Sequence, residues 1–330
     1  MKVFLAGATG AVGKRLVPLL VAGGHQVIAS TRTSGKREAL RAAGAEPVVL
    51  DVLDRDAVMN AVVAARPDVV IHQVTALAGL RSFKNFDREF ALTNALRTDG
   101  TAYLLAAARA AGARRFIAQS YTGWPNTREG SRVKTEDDPL DPRPPRTMTQ
   151  TLDAIRRLEA AVSNLSSLTG IVLRYGSFYG PGTSLGIDGE ITQMVRRRKF
   201  PIVGGGTGVW SFTHIDDAAG AARFVVEQGA GGIYNIVDDE PAEVSMWLPE
   251  LARAIGAMPP YRMPAWLVRP IIGEAMLDIM TRVRGSSNAK ARHVLGWQAP
   301  LCHLAERVSA GPWIAQVRLA KHITPRIARY

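Results

Sequence analysis

The sequence predicts an α/β protein in which a doubly wound parallel sheet precedes a smaller, mostly helical C-terminal domain. Two observations predict it: short apolar runs alternate with segments of helical periodicity, and a glycine-rich turn directly follows the first apolar run. The chain has 330 residues, of which 47% are hydrophobic and 21% charged, so it is long enough to bury a large core. Strands separated by helical segments of this length form a parallel sheet with right-handed crossovers and helices on both faces.

The first part of the chain alternates between the two patterns without interruption. Each predicted strand is a short run rich in Val, Ile and Leu, and the first two predicted helices end at glycines, at Gly23-Gly24 and at Gly44. The strands are predicted at 3–6, 26–30, 47–50, 68–74 and 115–119, and the helices at 14–22, 36–43, 55–65 and 86–111.

The second part begins with a long loop, because residues 121–146 are rich in Pro, Gly, Asp and Arg. The glycine run 204–208 does not lead into a helix, so it predicts a turn rather than a phosphate-binding loop. The remaining strands are predicted at 171–175 and 232–237, and the remaining helices at 149–164, 244–255, 266–281 and 288–295.

Composition excludes several classes of protein. Cys302 is the only cysteine, which excludes an intrachain disulfide and a Cys-rich zinc site, and the histidines lack metal-ligand spacing, so no metal is expected. No apolar segment reaches the roughly 20 residues of a membrane span, and a reducing, cytoplasmic location is expected. The net charge of +12 comes from scattered arginines without a nucleic-acid-binding motif, so a solvated surface is expected and no nucleic-acid partner.

The first loop predicts dinucleotide binding in a Rossmann-type sheet. Strand, glycine turn and helix follow in the order that makes a glycine fingerprint credible. Gly7 permits the tight turn, Gly10 permits close approach of a pyrophosphate, and Gly13 permits close packing of helix on strand. The N-terminus of the following helix then offers free N–H groups and a positive dipole end to the phosphates.

The end of the second strand favours NADP(H) over NAD(H). An acidic residue there would bind the adenosine ribose hydroxyls, but the chain has Thr31-Arg32-Thr33-Ser34 and no carboxylate before Glu38. Arg32 can pair with a 2′-phosphate, and the neighbouring hydroxyls can add hydrogen bonds. The alternative is an ordinary exposed arginine on a basic protein.

Six further segments occur in an order that resembles one family. They are Asp51-Val52, 73–76, 94–101, 173–182, 210–217 and 288–297. Together with the glycine loop they resemble the extended short-chain dehydrogenase/reductase family, which includes nucleotide-sugar epimerases and dehydratases. The resemblance runs from Met1 to about Trp297, with Ser177 where the family usually has Asn.

The resemblance implies a cofactor domain and a substrate domain. Residues 1–176 with about 208–238 are expected to bind the cofactor, about 177–207 with 239–312 to form the substrate domain, and 313–330 to be a basic tail. The tail is expected to be an amphipathic helix that covers the substrate domain, or to contact an acidic partner or a membrane surface. The expected cofactor-binding residues are Gly7, Thr9, Gly10, Ala11, Val12, Gly13, Arg32, Asp51, Val52, Gln73, Val74, Thr75, Asn94, Ser120, Tyr175, Ser177 and Phe178.

The catalytic signature departs from the family pattern. The family's Tyr-x-x-x-Lys pair lies on the helix after the fifth strand, where the lysine and the nicotinamide lower the pKa of the phenol. No tyrosine lies between Tyr121 and Tyr175. Matching Glu159 to the glutamate usual on that helix places Thr151 and Ile155 at the two catalytic positions. The chain therefore resembles the atypical branch of the family.

Substitute catalytic groups are expected at the end of the fifth strand. Ser120 corresponds to the family's Ser/Thr region, and Tyr121 begins the loop at the sheet edge where α/β proteins bind ligands. Ser120 can polarise a carbonyl and Tyr121 can donate a proton, with Lys134 as a charge partner; alternatively Tyr121 is a packing residue. The expected substrate-site residues are Trp124, Lys134, Tyr179 and Trp210, and Phe200, Trp247, Tyr261, Met263 and Trp266 are further candidates for the pocket wall.

The functional hypothesis is an NADP(H)-binding oxidoreductase that acts on a carbonyl or alcohol of a small organic substrate with a non-standard site. One alternative is a catalytically silent sensor or scaffold that binds NADP(H). Another is an epimerase, isomerase or cyclase without net cofactor turnover. His214 is expected to be structural, bonding backbone near Asp216, and a homodimer through the helices at 86–111 and 149–164 is one possible assembly.

Overall fold

The computed structural model describes residues 1–77 and 83–299, so the predicted tail at 313–330 lies outside the described residues. A parallel sheet of seven strands forms its centre, in the order β7-β6-β5-β4-β1-β2-β3. The strands are β1 (Lys2–Ala6), β2 (Gln26–Thr31), β3 (Glu46–Val49), β4 (Val69–His72), β5 (Arg115–Tyr121), β6 (Thr169–Tyr175) and β7 (Gly232–Ile236). The sequence order reverses between β1 and β4, which confirms the doubly wound fold and creates the crevice in which such sheets bind ligands.

Helices cover both faces of the sheet and form the C-terminal region. They are α1 (Gly13–Ala22), α2 (Arg37–Ala42), α3 (Arg55–Ala65), α4 (Phe86–Glu89), α5 (Ala91–Ala95), α6 (Thr101–Ala110), α7 (Thr149–Ser163), α8 (Glu190–Arg196), α9 (Ile215–Glu227), α10 (Val244–Ala254) and α11 (Ala265–Thr281). No helix in the described part of the chain is long and apolar enough to cross a membrane.

Three apolar clusters account for the packing. The first joins α1 and α9 to one face of the sheet, and the second joins α3, α6 and α7 to the other. These two clusters use alternate side chains of the same strands, for example Val3 and Leu5 on one face and Phe4 and Ala6 on the other, because successive side chains of a strand point in opposite directions. The third cluster joins α10 and α11 to the beginning of α7. The proposed boundaries of the two domains stay a prediction.

The segment predicted as one helix at 86–111 is helical from Phe86 to Ala110 except at Phe90, but its hydrogen bonding is not uniform. It consists of α4, α5, a π-helical turn at Leu96–Gly100 and α6. The Thr98 hydroxyl donates to the carbonyls of Asn94 and Ala95, a local bond that competes with the hydrogen bonds of an α-helix. Periodicity cannot show this irregularity, because the apolar spacing continues through it.

Three other predictions differ from the structure in detail. Strand β5 continues through Ser120 and Tyr121, which pair with β6, so the loop starts later than predicted. That loop contains a short strand, Val133–Lys134, which pairs with Gly285–Ser286. Helix α11 is interrupted at Gly273, whose φ of 79° lies outside the helical region. The predicted turn at 204–208 is confirmed, between the short strands Ile202–Val203 and Val209–Trp210.

Candidate functional site

The glycine loop between β1 and α1 is shaped by two close backbone contacts. Gly7 has a φ of 90°, and a Cβ atom there would lie 2.7 Å from the carbonyl oxygen of Gln73 at the end of β4. A Cβ atom on Gly13 would overlap the carbonyl oxygen of Gly7. The amide of Gly10 donates to that same oxygen at 3.1 Å and closes the turn. Any side chain at Gly7 or Gly13 would therefore push the loop off the sheet.

The N-terminus of helix α1 follows directly from this glycine loop. Among the described residues no side chain caps its N-terminus at Val12, and its first turn carries no acidic residue. The amides of Lys14 and Arg15 already donate to the carbonyls of Gly10 and Val12, so the helix offers a phosphate its positive dipole end, the arrangement that binds the diphosphate of a dinucleotide. Thr9 lies beside it, with its hydroxyl 3.4 Å from that of Thr31 on β2. The loop thus fits a dinucleotide cofactor.

A cluster of cations follows β2. Arg32, Lys36 and Arg37 are exposed, and none forms an ion pair within residues 1–77 and 83–299. The one carboxylate nearby in sequence, Glu38, is paired with Arg41 at 3.2 Å. The site at the end of β2 therefore presents positive charge where an NAD-binding protein presents a carboxylate.

The ends of β3 and β4 supply the other predicted cofactor residues. The exposed Asp51 accepts from the amide of Leu53 at 3.0 Å, and the neighbouring Val52 is buried. The Gln73 side chain donates to the hydroxyl of Tyr175 at 3.3 Å, whereas its Oε1 atom is buried with no partner among the described residues. Such a buried acceptor is free to bind a further donor. Val74 and Thr75 continue from β4 as half-buried residues.

Thr151 and Ile155 on α7 are both completely buried. Thr151 Oγ1 donates to Asp87 Oδ1 at 2.7 Å and accepts from Asn94 Nδ2 at 3.0 Å. Ile155 belongs to the third apolar cluster. Neither side chain can exchange a proton near neutrality. The Oδ1 atom of Asn94 is buried without a partner among the described residues, as is the Oε1 atom of Gln73.

Ser120 and Tyr121 point to different surroundings, because they are consecutive residues of one strand. The Ser120 hydroxyl donates to Glu159 Oε1 at 2.7 Å, and Glu159 binds Arg174 through two bonds of 2.8 and 2.6 Å. Arg97 is also buried, and burial lowers the pKa of its guanidinium to about 10, partly offset by the charge of Glu159. Ser120 thus belongs to a buried ionic cluster that joins β5, β6 and α7.

Tyr121 lies among aromatic side chains at the edge of the sheet. Its hydroxyl is 3.0 Å from that of Ser177, and its ring centroid lies 6.1 Å from that of Trp124. Trp124 in turn contacts the ring of Phe86 at 5.1 Å, edge to face. Burial raises the pKa of Tyr121, although the bond with Ser177 partly opposes this. The phenol is neutral at ordinary pH, the opposite of the acidified phenol of a Tyr-x-x-x-Lys pair.

Other predicted site residues make structural contacts. The buried Lys134 binds Asp138 at 3.1 Å and the carbonyl of Glu129. Tyr179 packs edge to face on His214, whose Nδ1 accepts from the amide of Asp216, as predicted for a structural histidine. Trp210 donates to the carbonyl of Ile279. Tyr175 and Phe178 are in ring contact at 5.3 Å beside the first apolar cluster.

Two of the candidate pocket residues are exposed. Tyr261 is 52% exposed and Trp266 is 76% exposed, and their place in a pocket wall stays a prediction. Phe200 and Trp247 are buried in the third apolar cluster, and Met263 packs against it. Apolar residue type alone does not distinguish these positions.

Sequence reasoning missed Asp87. Its carboxylate accepts from the amides of Gln150 and Thr151 and so caps the beginning of α7. The two partners lie 63 and 64 residues further along the chain. No local pattern marks such a contact, because capping is usually recognised from residues adjacent to the helix.

The sheet, the glycine loop and the uncapped helix define a nicotinamide-dinucleotide-binding enzyme of the oxidoreductase and epimerase type. Residues 3–237 match the model of the NAD dependent epimerase/dehydratase family, and the chain belongs to that family. This confirms the resemblance found in the sequence.

Named sequence relatives and similar solved structures include reductases and epimerases. A 3-diazoavenalumate denitrifying reductase from a Streptomyces species is 47% identical over 300 residues, which are 90% of this chain and 96% of that protein. The UDP-glucose 4-epimerase of Thermotoga maritima, solved with UDP-glucose, superposes with a TM-score of 0.76 at 20% identity and covers 97% of this chain and 100% of its own. A human epimerase family protein solved with NADPH gives a TM-score of 0.72 at 19% identity, covering 96% and 99%.

Proposed function

We propose that this protein is an NADPH-dependent reductase whose substrate carries an aromatic diazonium group, which is replaced by hydrogen with release of N2. The observation that carries the proposal is the state of α7, where Thr151 is bonded to Asp87 and Asn94 and Ile155 is enclosed in the core. Helix α7 therefore offers no acid to the substrate. The 47% identity to a reductase named for removing nitrogen from a diazo compound supports this substrate class.

Two kinds of reduction differ in whether they need a proton donor such as the one that α7 lacks at positions 151 and 155. Reduction of a carbonyl leaves an alkoxide that must receive a proton, so a positioned donor speeds it by roughly two to four orders of magnitude. When bound, the nicotinamide would supply a hydride for the new C–H bond at the carbon that carries the diazonium group, and the electron pair of the C–N bond would leave with N2. The positive charge of the diazonium ion and the negative charge of the hydride cancel, so this reduction requires no proton donor.

Residues around the nicotinamide end of the site are proposed to bind and to exclude water. Gln73 Oε1 and Asn94 Oδ1, both buried and unpartnered among the described residues, are proposed to accept hydrogen bonds from the cofactor. Tyr121 and Trp124 are proposed to form the wall against which a planar substrate packs. The electron-rich face of an aromatic ring also attracts a cation, which suits a diazonium group.

Preference for NADPH is proposed to come from the cations after β2. Arg32, Lys36 and Arg37 are exposed without ion pairs in the described part of the chain, so a 2′-phosphate would meet unpaired positive charge there. The remaining residues predicted to contact the cofactor are proposed to do so. They belong to the glycine loop, to Asp51-Val52 and to the segment from Tyr175 to Phe178.

Carbonyl reduction is the second candidate, and one contact favours it. The Tyr121 hydroxyl lies 3.0 Å from that of Ser177, a pair in which one group can donate to a substrate oxygen while the other replaces the lost proton. In this candidate Tyr121 is the acid. The hydroxyl of Ser120 is already donated to Glu159, so its proposed catalytic role requires that bond to break.

The test compares two substrates that differ only in the reacting group, 4-hydroxybenzenediazonium and 4-hydroxybenzaldehyde. Oxidation of NADPH deuterated at the transferred position is followed together with deuterium in the product and with labelled N2. The proposal expects NADPH-coupled N2 release that Tyr121→Phe leaves nearly unchanged and Gly13→Ala abolishes. Turnover of the aldehyde alone, lost in Tyr121→Phe, would establish the second candidate instead. Tight NADPH binding with no turnover of either probe would favour a sensor.

A further inference from the structure

Five large apolar side chains are exposed on the outer side of the C-terminal region. Met258 is 63% exposed, Tyr261 52%, Trp266 76%, Leu267 45% and Ile271 72%. They belong to the first half of α11 and the segment that leads into it. Exposed apolar residues are common when scattered, whereas these five lie within fourteen residues of chain, which favours an interaction surface. We refer to these five residues as the apolar face.

A basic segment lies directly beside the apolar face. The short strands Ile202–Val203 and Arg262–Met263 pair in parallel, with the amide of Ile202 bonded to the carbonyl of Tyr261. The guanidinium of Arg198 lies 3.5 Å from the centroid of the Tyr261 ring. These contacts bring the cluster that begins at Arg196 next to the apolar face.

The charge beside the apolar face is mainly positive, although Glu274 is exposed on α11 directly after Gly273. Residues 191–215 and 251–273 contain no Asp or Glu. The exposed cations of these two segments include Arg196, Arg197, Lys199, Arg262 and Arg269. The partner that covers the apolar face must therefore accept positive charge at its rim.

Charge complementarity decides between the possible partners. A second copy would bring the same cations against each other. The segment 301–330 also carries several cations, among them Arg318, Lys321, Arg326 and Arg329, with Glu306 as its only acid. Both partners would place like charges together, which opposes docking.

An anionic lipid surface suits both properties of this face. Trp and Tyr prefer the headgroup level of a bilayer, and Leu and Ile insert just below it. Each Lys or Arg near an anionic leaflet adds about 1 kcal/mol of attraction. We propose that the apolar face and its basic rim dock this protein on anionic membranes as a peripheral protein.

Helix α11, which carries three residues of the apolar face, also approaches the segment before Phe86. A Cβ atom on Gly273, where α11 is interrupted, would lie 2.8 Å from Cα of Lys84. Lys84 is next but one to Phe86, which contacts Trp124. The helix that carries part of the apolar face therefore packs beside the segment that leads to Phe86 and Trp124.

The experiment is flotation of the full chain with vesicles of phosphatidylcholine alone and with added phosphatidylglycerol. The proposal expects binding to the anionic vesicles only, weakened by salt. Trp266→Ser with Ile271→Ser is expected to lower the bound fraction roughly tenfold, and Arg269→Gln about fivefold. NADPH binding, measured in parallel, is expected to stay unchanged and shows that the variants are folded.

Matched controls use residues of similar exposure elsewhere. Val294 is 55% exposed and Arg109 is exposed, so Val294→Ser and Arg109→Gln are expected to bind vesicles like the unmodified protein. Absence of vesicle binding would overturn the proposal. So would binding that depends on Arg326 and Arg329 but not on Trp266. Equal binding to soluble polyglutamate, retained in the Trp266 variant, would point to an acidic protein instead and would also overturn it.

Discussion

The hydroxyl of Ser120 donates a 2.7 Å hydrogen bond to the buried carboxylate of Glu159. In a carbonyl-reducing site this hydroxyl would donate to the substrate instead. Because the single hydroxyl proton of Ser120 is donated to this carboxylate, the hydroxyl can only accept hydrogen bonds from other groups. The bond also ties β5 to the Glu159–Arg174 ion pair on α7 and β6. This relationship suggests a way to separate structural from catalytic roles.

Ser120→Ala is expected to lower the free energy of unfolding by about 2 kcal/mol, the contribution of a hydrogen bond to a charged group. The rate of NADPH oxidation at a temperature where the variant is folded is expected to change little. Thermal unfolding and steady-state kinetics check the two halves of this prediction. A large drop in kcat with unchanged stability would show that Ser120 acts on the substrate.

Gly13→Ala is expected to abolish NADPH binding, because the new Cβ atom would overlap the carbonyl of Gly7 and displace the loop. Such overpacking costs about 1–3 kcal/mol in stability. Fluorescence titration with NADPH measures the effect. Gly35→Ala is the matched control, since no atom lies within 4 Å of a Cβ atom there, and it is expected to bind normally. Normal binding by Gly13→Ala would exclude the loop as the cofactor site.

Arg32→Ala is expected to weaken NADPH roughly tenfold, as for loss of one charge-assisted hydrogen bond. NADH, which lacks the 2′-phosphate, is expected to bind equally to both forms. Arg41→Ala provides the control, because Arg41 is already paired with Glu38. Equal losses for the two nucleotides would assign Arg32 a structural role only.

His72 is expected to control acid stability. Burial lowers its pKa from 6.5 to about 4, against the opposing effect of its bond with the carbonyl of Leu96. As pH falls from 6.5 toward 4 the unfolded chain binds a proton that the folded chain does not, so stability is present above pH 6.5 and lost below it. The expected loss is of the order of 3 kcal/mol. Denaturant titrations of His72→Gln across this range should show a flatter profile. An unchanged profile would assign the acid sensitivity to other groups.

The sequence was informative wherever structure depends on neighbours along the chain. Short apolar runs between helical segments located all seven strands of the central sheet to within a few residues, and the glycine spacing located the turn before α1. It did not show the π-helical turn within 86–111, because the bond from Thr98 to Asn94 changes the hydrogen bonding without changing the apolar pattern. It also did not show that Trp266 is exposed, because apolar character alone does not decide burial.

The sequence by itself determined the sheet, the cofactor loop and the lack of a Tyr-x-x-x-Lys pair, because strand alternation, glycine sterics and residue identity are local properties. Only the tertiary structure decided which side chains meet at the site. Asp87 and Asn94 reach Thr151 across more than fifty residues of chain, and Ser120 and Tyr121, adjacent in sequence, join different clusters. Such contacts depend on how α7 packs against β5 and β6, and packing between distant segments leaves no periodic signal in the sequence.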